Sequence, residues 1–312
     1  MLDVLTITLN PAIDQTANIE NFQIDKVNRV SNFQNDPGGK GINVAAYLAV
    51  SKLKVGATGF LGVDNPSLFK KLFKDLEIED KFIYVSGSTR TNVKVVDESN
   101  QTVTDINQSG FEIDINRLEK LEKVLFTSKQ ASWYVFSGSL PSGLGSDIYK
   151  RWIEKAHELG IKVALDASFE ALKEAISTKP DLIKPNHHEL MELVNKELSS
   201  IEEYIFEAKE LVKKGIELVC ISLGKDGALL INKDEVYYSK GKNVKVKTTV
   251  GAGDAMLSGL VLGQIKELSL EESLKKGTAF SMNAVETVGP YLSNKEKIKS
   301  YYDDIKVKKI TN

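Results

Sequence analysis

The chain alternates two rhythms. Short apolar runs end in glycine-rich or polar stretches, and between them lie longer segments with apolar residues at helical spacing. Residues 4–9 form such a run, closed by Asn10-Pro11, and read as a buried strand that emerges into a loop carrying Asp14. Residues 54–60, 81–85, 132–136, 162–165, 181–184 and 217–222 repeat the strand signal. Helices are expected over 44–51, 65–76, 114–128 and 200–214, and a further one opens at Pro185-Asn186-His187-His188-Glu189. This succession predicts an α/β chain with an open, mostly parallel sheet flanked by helices. Strands near 228–231 and 236–239 follow, and helices are expected to fill the remainder.

The rhythm breaks twice. Residues 16–33 carry polar alternation with branched and aromatic side chains but weak helical periodicity, and read as short strands. Residues 89–96 and 101–107 alternate likewise and are joined by the turn-like Asp97-Glu98-Ser99-Asn100, a hairpin signal. Together these segments predict a small four-stranded accessory sheet. There is no repeat, no low-complexity segment and no linker, so residues 1–312 are expected to form one unit.

The chemistry concentrates at Thr248-Thr249-Val250-Gly251-Ala252-Gly253-Asp254. Residues 244–248 alternate like a strand, and 255–268 have helical composition without proline. Gly251 and Gly253 permit a tight turn and leave backbone N–H groups uncovered at a helix start, which suits an anion. Asp254 then stands where a base would deprotonate a hydroxyl beside a phosphoryl group in transfer. The plainer reading is an N-cap on a turn. Ala255, Gly259 and Gly263 recur every fourth residue, and this smooth stripe predicts close packing on a neighbouring helix. Pro37-Gly38-Gly39-Lys40-Gly41-Ile42-Asn43 is a second glycine-rich helix start. Loops of this kind gather at the carboxyl edge of a parallel sheet, so Asp14, 38–43, 137–141, 184–189, 224–227 and 251–254 are expected to share one cleft.

Composition narrows the partners. The 41 basic and 43 acidic residues leave a net charge of −2, which offers no global field for nucleic acid or an anionic membrane. Cys220 is the single cysteine and His157, His187 and His188 are the histidines, so disulfide frameworks and Cys/His zinc sites are excluded and any metal needs oxygen ligands. No apolar run approaches a membrane span and no basic-then-apolar leader pattern is present, so a cytoplasmic setting is expected. Neither the P-loop pattern nor a kinase H-R-D loop occurs, and Gly251-x-Gly253 lacks a third glycine three residues on.

Six motifs together resemble the ribokinase-like (PfkB) carbohydrate kinases along essentially the whole chain: 38–43, Thr89-Arg90-Thr91-Asn92-Val93-Lys94, Val103-Thr104-Asp105-Ile106-Asn107, Ser137-Gly138-Ser139-Leu140-Pro141, Lys184-Pro185-Asn186 and 249–254. Within the family they look most like the branch that converts fructose 1-phosphate to fructose 1,6-bisphosphate, with tagatose 6-phosphate kinases close behind. Ala255, where serine is usual, and His187-His188 depart from the pattern. The resemblance implies an ATP- and Mg²⁺-dependent kinase with Asp254 as base and Gly251, Ala252 and Gly253 as anion hole. It implies nucleotide binding by Lys184, Asn186, Ser222, Leu223, Gly224, Lys225, Asp226, Gly227, Gly251, Gly253 and Asn283, although 224–227 read alone is a plain hairpin turn. Asn186 and Glu189 would organise Mg²⁺ through water, or form only a capping box. Asp14, Gly38, Gly39, Lys40, Asn43, Asn92 and Ser139 would bind the acceptor sugar. Arg90, helped by Lys40 and Arg29, would grip the phosphate already on it, since guanidinium holds phosphate oxygens in a fixed fork; solvated charges are the plainer reading of Arg90 and Lys40. Segments 12–36 and 88–108 would form a lid, and Phe22, Val27 and Ile106 on it would pair two subunits into a homodimer. A non-catalytic sugar-phosphate sensor on the same fold is the alternative of another class; loss of Asp254, Gly251 or Gly253 would mark it, and all are present.

Overall fold

The computed structural model describes residues 1–167, 169–242, 244, 246, 248–287 and 295–311. The chain opens with β1 (Leu2–Thr8), leaves the central layer for β2 (Ala12–Ile19) and β3 (Val30–Gly38), and re-enters through α1 (Lys40–Val50). Then come β4 (Val55–Gly62), α2 (Ser67–Asp75), the short β5 (Glu79–Asp80) and β6 (Ile83–Val85), and the hairpin β7 (Thr91–Asp97) and β8 (Thr102–Ile106). Alternation resumes with α3 (Ile115–Phe126), β9 (Ala131–Ser137), α4 (Ile148–Glu158), β10 (Lys162–Asp166), α5 (Phe169–Ala175), β11 (Leu182–Ile183), α6 (His187–Val194), α7 (Ile201–Lys213) and β12 (Leu218–Ser222). The last part holds β13 (Ala228–Ile231), β14 (Val236–Lys240), α8 (Ala252–Ile265), α9 (Leu270–Glu286), α10 (Lys295–Asp304) and β15 (Lys306–Lys309).

The large sheet runs β15-β14-β13-β12-β11-β10-β9-β1-β4-β5, with β6 also on β4. From β12 through β4 every pairing is parallel, and the β13–β15 edge is antiparallel. All eight residues of β4 are buried, as expected of a strand covered by helices on both faces. One core layer lies under α1, α8 and α9, the other under α3, α4 and α7. The second sheet has the order β3-β2-β7-β8 and is far more open: every residue of β8 is exposed.

Two expectations about the last part change. The final segment is a strand, β15, not a helix; its Lys-Val-Lys-Lys sequence suits a solvated sheet edge, where lysines discourage pairing with other chains. The strand expected over 244–248 includes Lys245 and Lys247, which lie outside the described residues, and Val244, Val246 and Thr248 belong to no strand. The small-residue stripe of α8 packs on α9 as anticipated. A Cβ on Gly259 would lie 2.5 Å from the Cα of Gly277, so backbones touch there. That contact offsets the roughly 1 kcal/mol cost of glycine in a helix interior.

Candidate active site

Every parallel strand delivers its carboxyl end to the same edge. β1 leads to Asn10 and Asp14, β9 to Ser137 and Ser139, β10 to Asp166, β11 to Lys184 and β12 to Ser222. Helices α1 and α8 start at this edge and pack on each other, and their first turns meet: Asn43 Nδ2 donates to Asp254 Oδ2 at 2.7 Å.

Gly251 is the N-cap of α8 and adopts φ 80°, a left-handed conformation that favours glycine, and no side chain caps the helix. The N–H groups of a first helical turn have no intrahelical acceptor, so this start presents donors and positive dipole to the cleft. Asp254 sits in that turn, 5% exposed. Burial, followed by repulsion from Asp166, raises its carboxyl from 3.8 to about 6 against the opposing pull of Lys40, Asn43 and Lys184. A carboxylate tuned to this range is ionised at neutral pH yet retains real proton affinity, as a general base requires. The Ser258 hydroxyl donates to the backbone carbonyl of Asp254 at 2.6 Å and steadies the turn.

Asp166 was not expected. It is fully buried between two ammoniums, Lys40 at 3.1 Å and Lys184 at 3.3 Å. Burial alone would raise its carboxyl, but Lys184 and then Lys40 outweigh burial and hold it below the usual range. In return Asp166 raises Lys40. Lys40 is therefore neither simply solvated nor a free phosphate ligand: one of its partners is internal. Lys184 Nζ lies 3.2 Å from where a Cβ on Gly253 would stand, directly against the glycine turn that opens α8. The signal for Asp166 was available, since a polar residue follows the predicted strand 162–165 at its carboxyl end. Cys220 is buried against Met256 and pushed up to about 12 by burial, so it is no nucleophile.

The acceptor candidates form a second group where the two sheets join. Asn92 Nδ2 donates to Asp14 Oδ1 at 3.1 Å, and a Cβ on Gly38 would fall 2.1 Å from Asp14 Oδ2, so backbone passes directly over that carboxylate. Burial raises the Asp14 carboxyl despite the Asn92 hydrogen bond. Gly39 is the N-cap of α1 with φ 130° and no side-chain cap. Arg90 is not a solvated lid charge: Nη1 donates to Gln108 O at 2.7 Å, Nη2 to Asn10 O at 2.9 Å and Nε to Pro11 O at 3.2 Å. Guanidinium has five N–H donors, so two are left over. Ser139 is exposed and within 3.4 Å of Asn10 Nδ2. Arg29 stands apart, lining a depression at the β2–β3 turn with Glu20, Lys26 and Asn28.

At the nucleotide candidates the plain readings are visible in full. Asn186 and Glu189 make a complete capping box, Glu189 N to Asn186 Oδ1 at 2.9 Å and Asn186 N to Glu189 Oε2 at 2.8 Å. Residues 224–226 form a single 3₁₀ turn inside the antiparallel β12–β13 hairpin, and Leu223 N donates to Gly227 O. Lys225 and Asp226 are exposed on it. Asn283 differs: it is 1% exposed, and both its Oδ1 and Nδ2 lack a hydrogen-bond partner among the described residues. A buried amide with both functions open calls for a ligand or water that has both a donor and an acceptor. Among the described residues no three acidic, histidine or cysteine side chains form a metal cluster, and no helix is long and apolar enough to cross a membrane.

A 1-phosphofructokinase from Haemophilus influenzae is 40% identical over 287 residues, covering 91% of each chain. Another from Rhodobacter capsulatus is 36% identical over 309 residues, covering 98% of each. The structure of phosphofructokinase-2 from Escherichia coli in complex with substrates and products superposes with a TM-score of 0.91 at 28% identity, over 97% of this chain and 99% of that one. The profile of the pfkB family carbohydrate kinases matches residues 2–297, and the chain belongs to that family.

Proposed function

We propose that the protein transfers the γ-phosphoryl group of ATP to fructose 1-phosphate, giving fructose 1,6-bisphosphate and ADP. The observation that carries this reading is the buried Asp254, hydrogen-bonded by Asn43 across two converging helix starts and tuned to about 6. Asp254 takes the proton of the acceptor hydroxyl as the oxygen bonds to phosphorus and the bridging oxygen leaves with ADP. The N–H groups of Gly251, Ala252 and Gly253 receive the equatorial oxygens, and Lys184 neutralises charge beside them. Asn283 faces the nucleotide base, with the 222–227 hairpin along the nucleotide. Mg²⁺, when bound with ATP, neutralises phosphate charge; it keeps much of its hydration and needs no protein cage, which fits a site where Asn186 and Glu189 reach it through water.

Asp14, Asn43, Asn92, Gly38 and Gly39 hold the sugar, and the second sheet closes over it as a lid. Arg90 grips the existing phosphate with its remaining donors, assisted by Lys40 and Ser139. Ile24 and Val27 on the lid are exposed by 89% and 87%, and Phe33, Val103 and Ile106 by about half. A thin sheet with a wet apolar face needs a covering partner, and a second copy of the lid supplies one. A tetrameric inhibited form is known for the E. coli phosphofructokinase-2. Light scattering at micromolar concentration should give a dimer here; monomer alone would contradict the lid pairing.

ATP turnover against fructose 1-phosphate, tagatose 6-phosphate, fructose 6-phosphate and fructose tests the reaction. Fructose 1-phosphate should have the highest kcat/KM, and fructose should fall at least about 100-fold below it. Equal use of fructose would overturn the sugar-phosphate reading; preference for tagatose 6-phosphate would move the assignment to that isomer. Arg90→Lys should raise KM for the sugar phosphate several-fold and leave KM for ATP unchanged.

A further inference from the structure

The sugar-holding pair Asp14 and Asn92 exists because β2 and β7 lie parallel in one register, Asp14 opposite Asn92 and Asn18 opposite Val96. Nothing local sets that register. β7–β8 is an antiparallel hairpin closed by the short turn 98–101, which fixes its alignment, and β2–β3 is an antiparallel pair joined directly by residues 20–29. The strands β2 and β7 have no turn between them; the chain passes through β3, α1, β4, α2, β5 and β6 before returning. Burial guides it only at the far end, where Ala17 lies opposite Val95 and both are buried; most residues of β7 are only partly buried. A slip by one residue would carry Asn92 to the opposite face from Asp14.

Two ties hold the pair, one at each end. At the site end, Ile13 N donates to Arg90 O at 2.8 Å, and the Arg90 side chain holds the carbonyls of Asn10 and Pro11. At the far end stands Asp97, 1% exposed, about 17 Å from Asn92 at ~3.3 Å per residue. Its carboxylate is shared between two chain segments. From its own turn it accepts Ser99 N at 3.1 Å, Ser99 Oγ at 2.5 Å, Asn100 N at 3.2 Å and Asn100 Nδ2 at 2.8 Å. From the turn just after β2 it accepts Asn21 N at 3.2 Å on Oδ1 and Phe22 N at 2.7 Å on Oδ2. Asn21 N also reaches Ser99 Oγ at 3.1 Å. Asn21 has φ 54°, so the chain turns sharply at the knot to aim two successive N–H groups at one carboxylate.

We infer that Asp97 is the register lock of the lid: by binding the turn that follows β2 to the end of β7, it positions Asp14 against Asn92 for the acceptor sugar. The plainer role of the aspartate that opens Asp97-Glu98-Ser99-Asn100 is to shape its own turn, and four of the contacts serve that. The bonds to Asn21 and Phe22 do not, because they cross 76 and 75 residues of chain. Hydrogen bonds to an ionised acceptor are the stronger kind, so a buried carboxylate with six donors is a firm tie.

The inference rests on the reading of Asp14 as an acceptor ligand, so its test includes that residue. Asp97→Ala should raise KM for fructose 1-phosphate about tenfold, the effect of losing one to two charge-assisted bonds, with KM for ATP and basal ATP hydrolysis within about twofold of wild type. Asp97→Asn, which keeps one acceptor oxygen, should fall between. Glu98→Gln, an exposed carboxylate in the same turn that makes none of these bonds, should change neither KM. If Asp97→Ala does not fold, Ser99→Ala, which removes the hydroxyl bridging Asn21 and Asp97, should still raise the sugar KM about two- to threefold. A rise confined to the sugar phosphate supports the lock. A folded Asp97→Ala protein with unchanged sugar KM, an equal rise for both substrates, or a silent Ser99→Ala overturns it. Asp14→Ala separates the two ideas: if it leaves the sugar KM unchanged the acceptor reading fails, and if it raises that KM while Asp97→Ala does not, only the lock fails.

Discussion

Helices α1 and α8 begin at glycines with φ 130° and 80° and no side-chain cap, whereas α6, at the same sheet edge, begins with a reciprocal capping box. The first two starts leave N–H groups and dipole for whatever enters the cleft, and set Lys40, Asn43 and Asp254 in their first turns. At α6 the Asn186 oxygen and the Glu189 carboxylate are already committed to the helix itself. A helix end satisfied by its own residues is built for stability; an end left open is built to be completed by a ligand.

The largest break in this contrast is at α8. Asp254→Asn keeps the shape of the turn and its contact with Asn43 but removes the base, so kcat should fall by roughly 10²–10⁴ while KM values move little. Near-normal turnover would remove Asp254 from the mechanism. The same variant should be more stable at neutral pH. The folded carboxyl titrates at about 6 against 3.8 for a free aspartate, so the folded state holds the proton more tightly. The resulting destabilisation grows as pH rises from 3.8 to about 6 and is fully present above that. Asparagine relieves it, about 3 kcal/mol at most, with a higher Tm at pH 7.5 and no gain near pH 3. A lower Tm at pH 7.5 would show that the charge is compensated.

A smaller effect is expected at α1. Gly39→Ala puts a methyl 2.8 Å from Thr8 Cγ2 at a φ that L-residues rarely adopt, so the helix start must shift. KM for the sugar phosphate should rise several-fold with KM for ATP nearly constant, measured by steady-state kinetics; an ATP-only defect would place α1 on the wrong substrate. The smallest change is at α6. Glu189→Gln retains an oxygen that can accept from Asn186 N–H but loses the charge, so Tm should barely move while the Mg²⁺ needed for half-maximal rate rises. An unchanged Mg²⁺ requirement would leave the capping box as the whole role of Glu189.

Much of this was legible because it is local. Apolar runs closed by Asn-Pro, Ser-Gly or Lys-Pro placed the parallel strands, and the glycine pairs before Lys40 and Asp254 placed the two open helix starts. The two alternating segments that broke the rhythm became the second sheet. What could not be read depends on distant parts of the chain. The pairing of Asp166 with Lys40 and Lys184 requires two strand ends and the start of α1 to be brought together, and the three carbonyls around Arg90 come from loops about 80 and 18 residues away. β15 was missed for a different reason: an edge strand of lysines has neither the alternation nor the burial by which strands are recognised.

The central claim is that two open helix starts hold Asp254 as a tuned base, and carboxyl-selective ¹³C NMR titration of the free protein, assigned by loss of the signal in Asp254→Asn, tests it without any substrate that titrates in the same range. The account predicts a midpoint at about 6 for Asp254. A midpoint near 3.8, the value of an unperturbed aspartate, would contradict it.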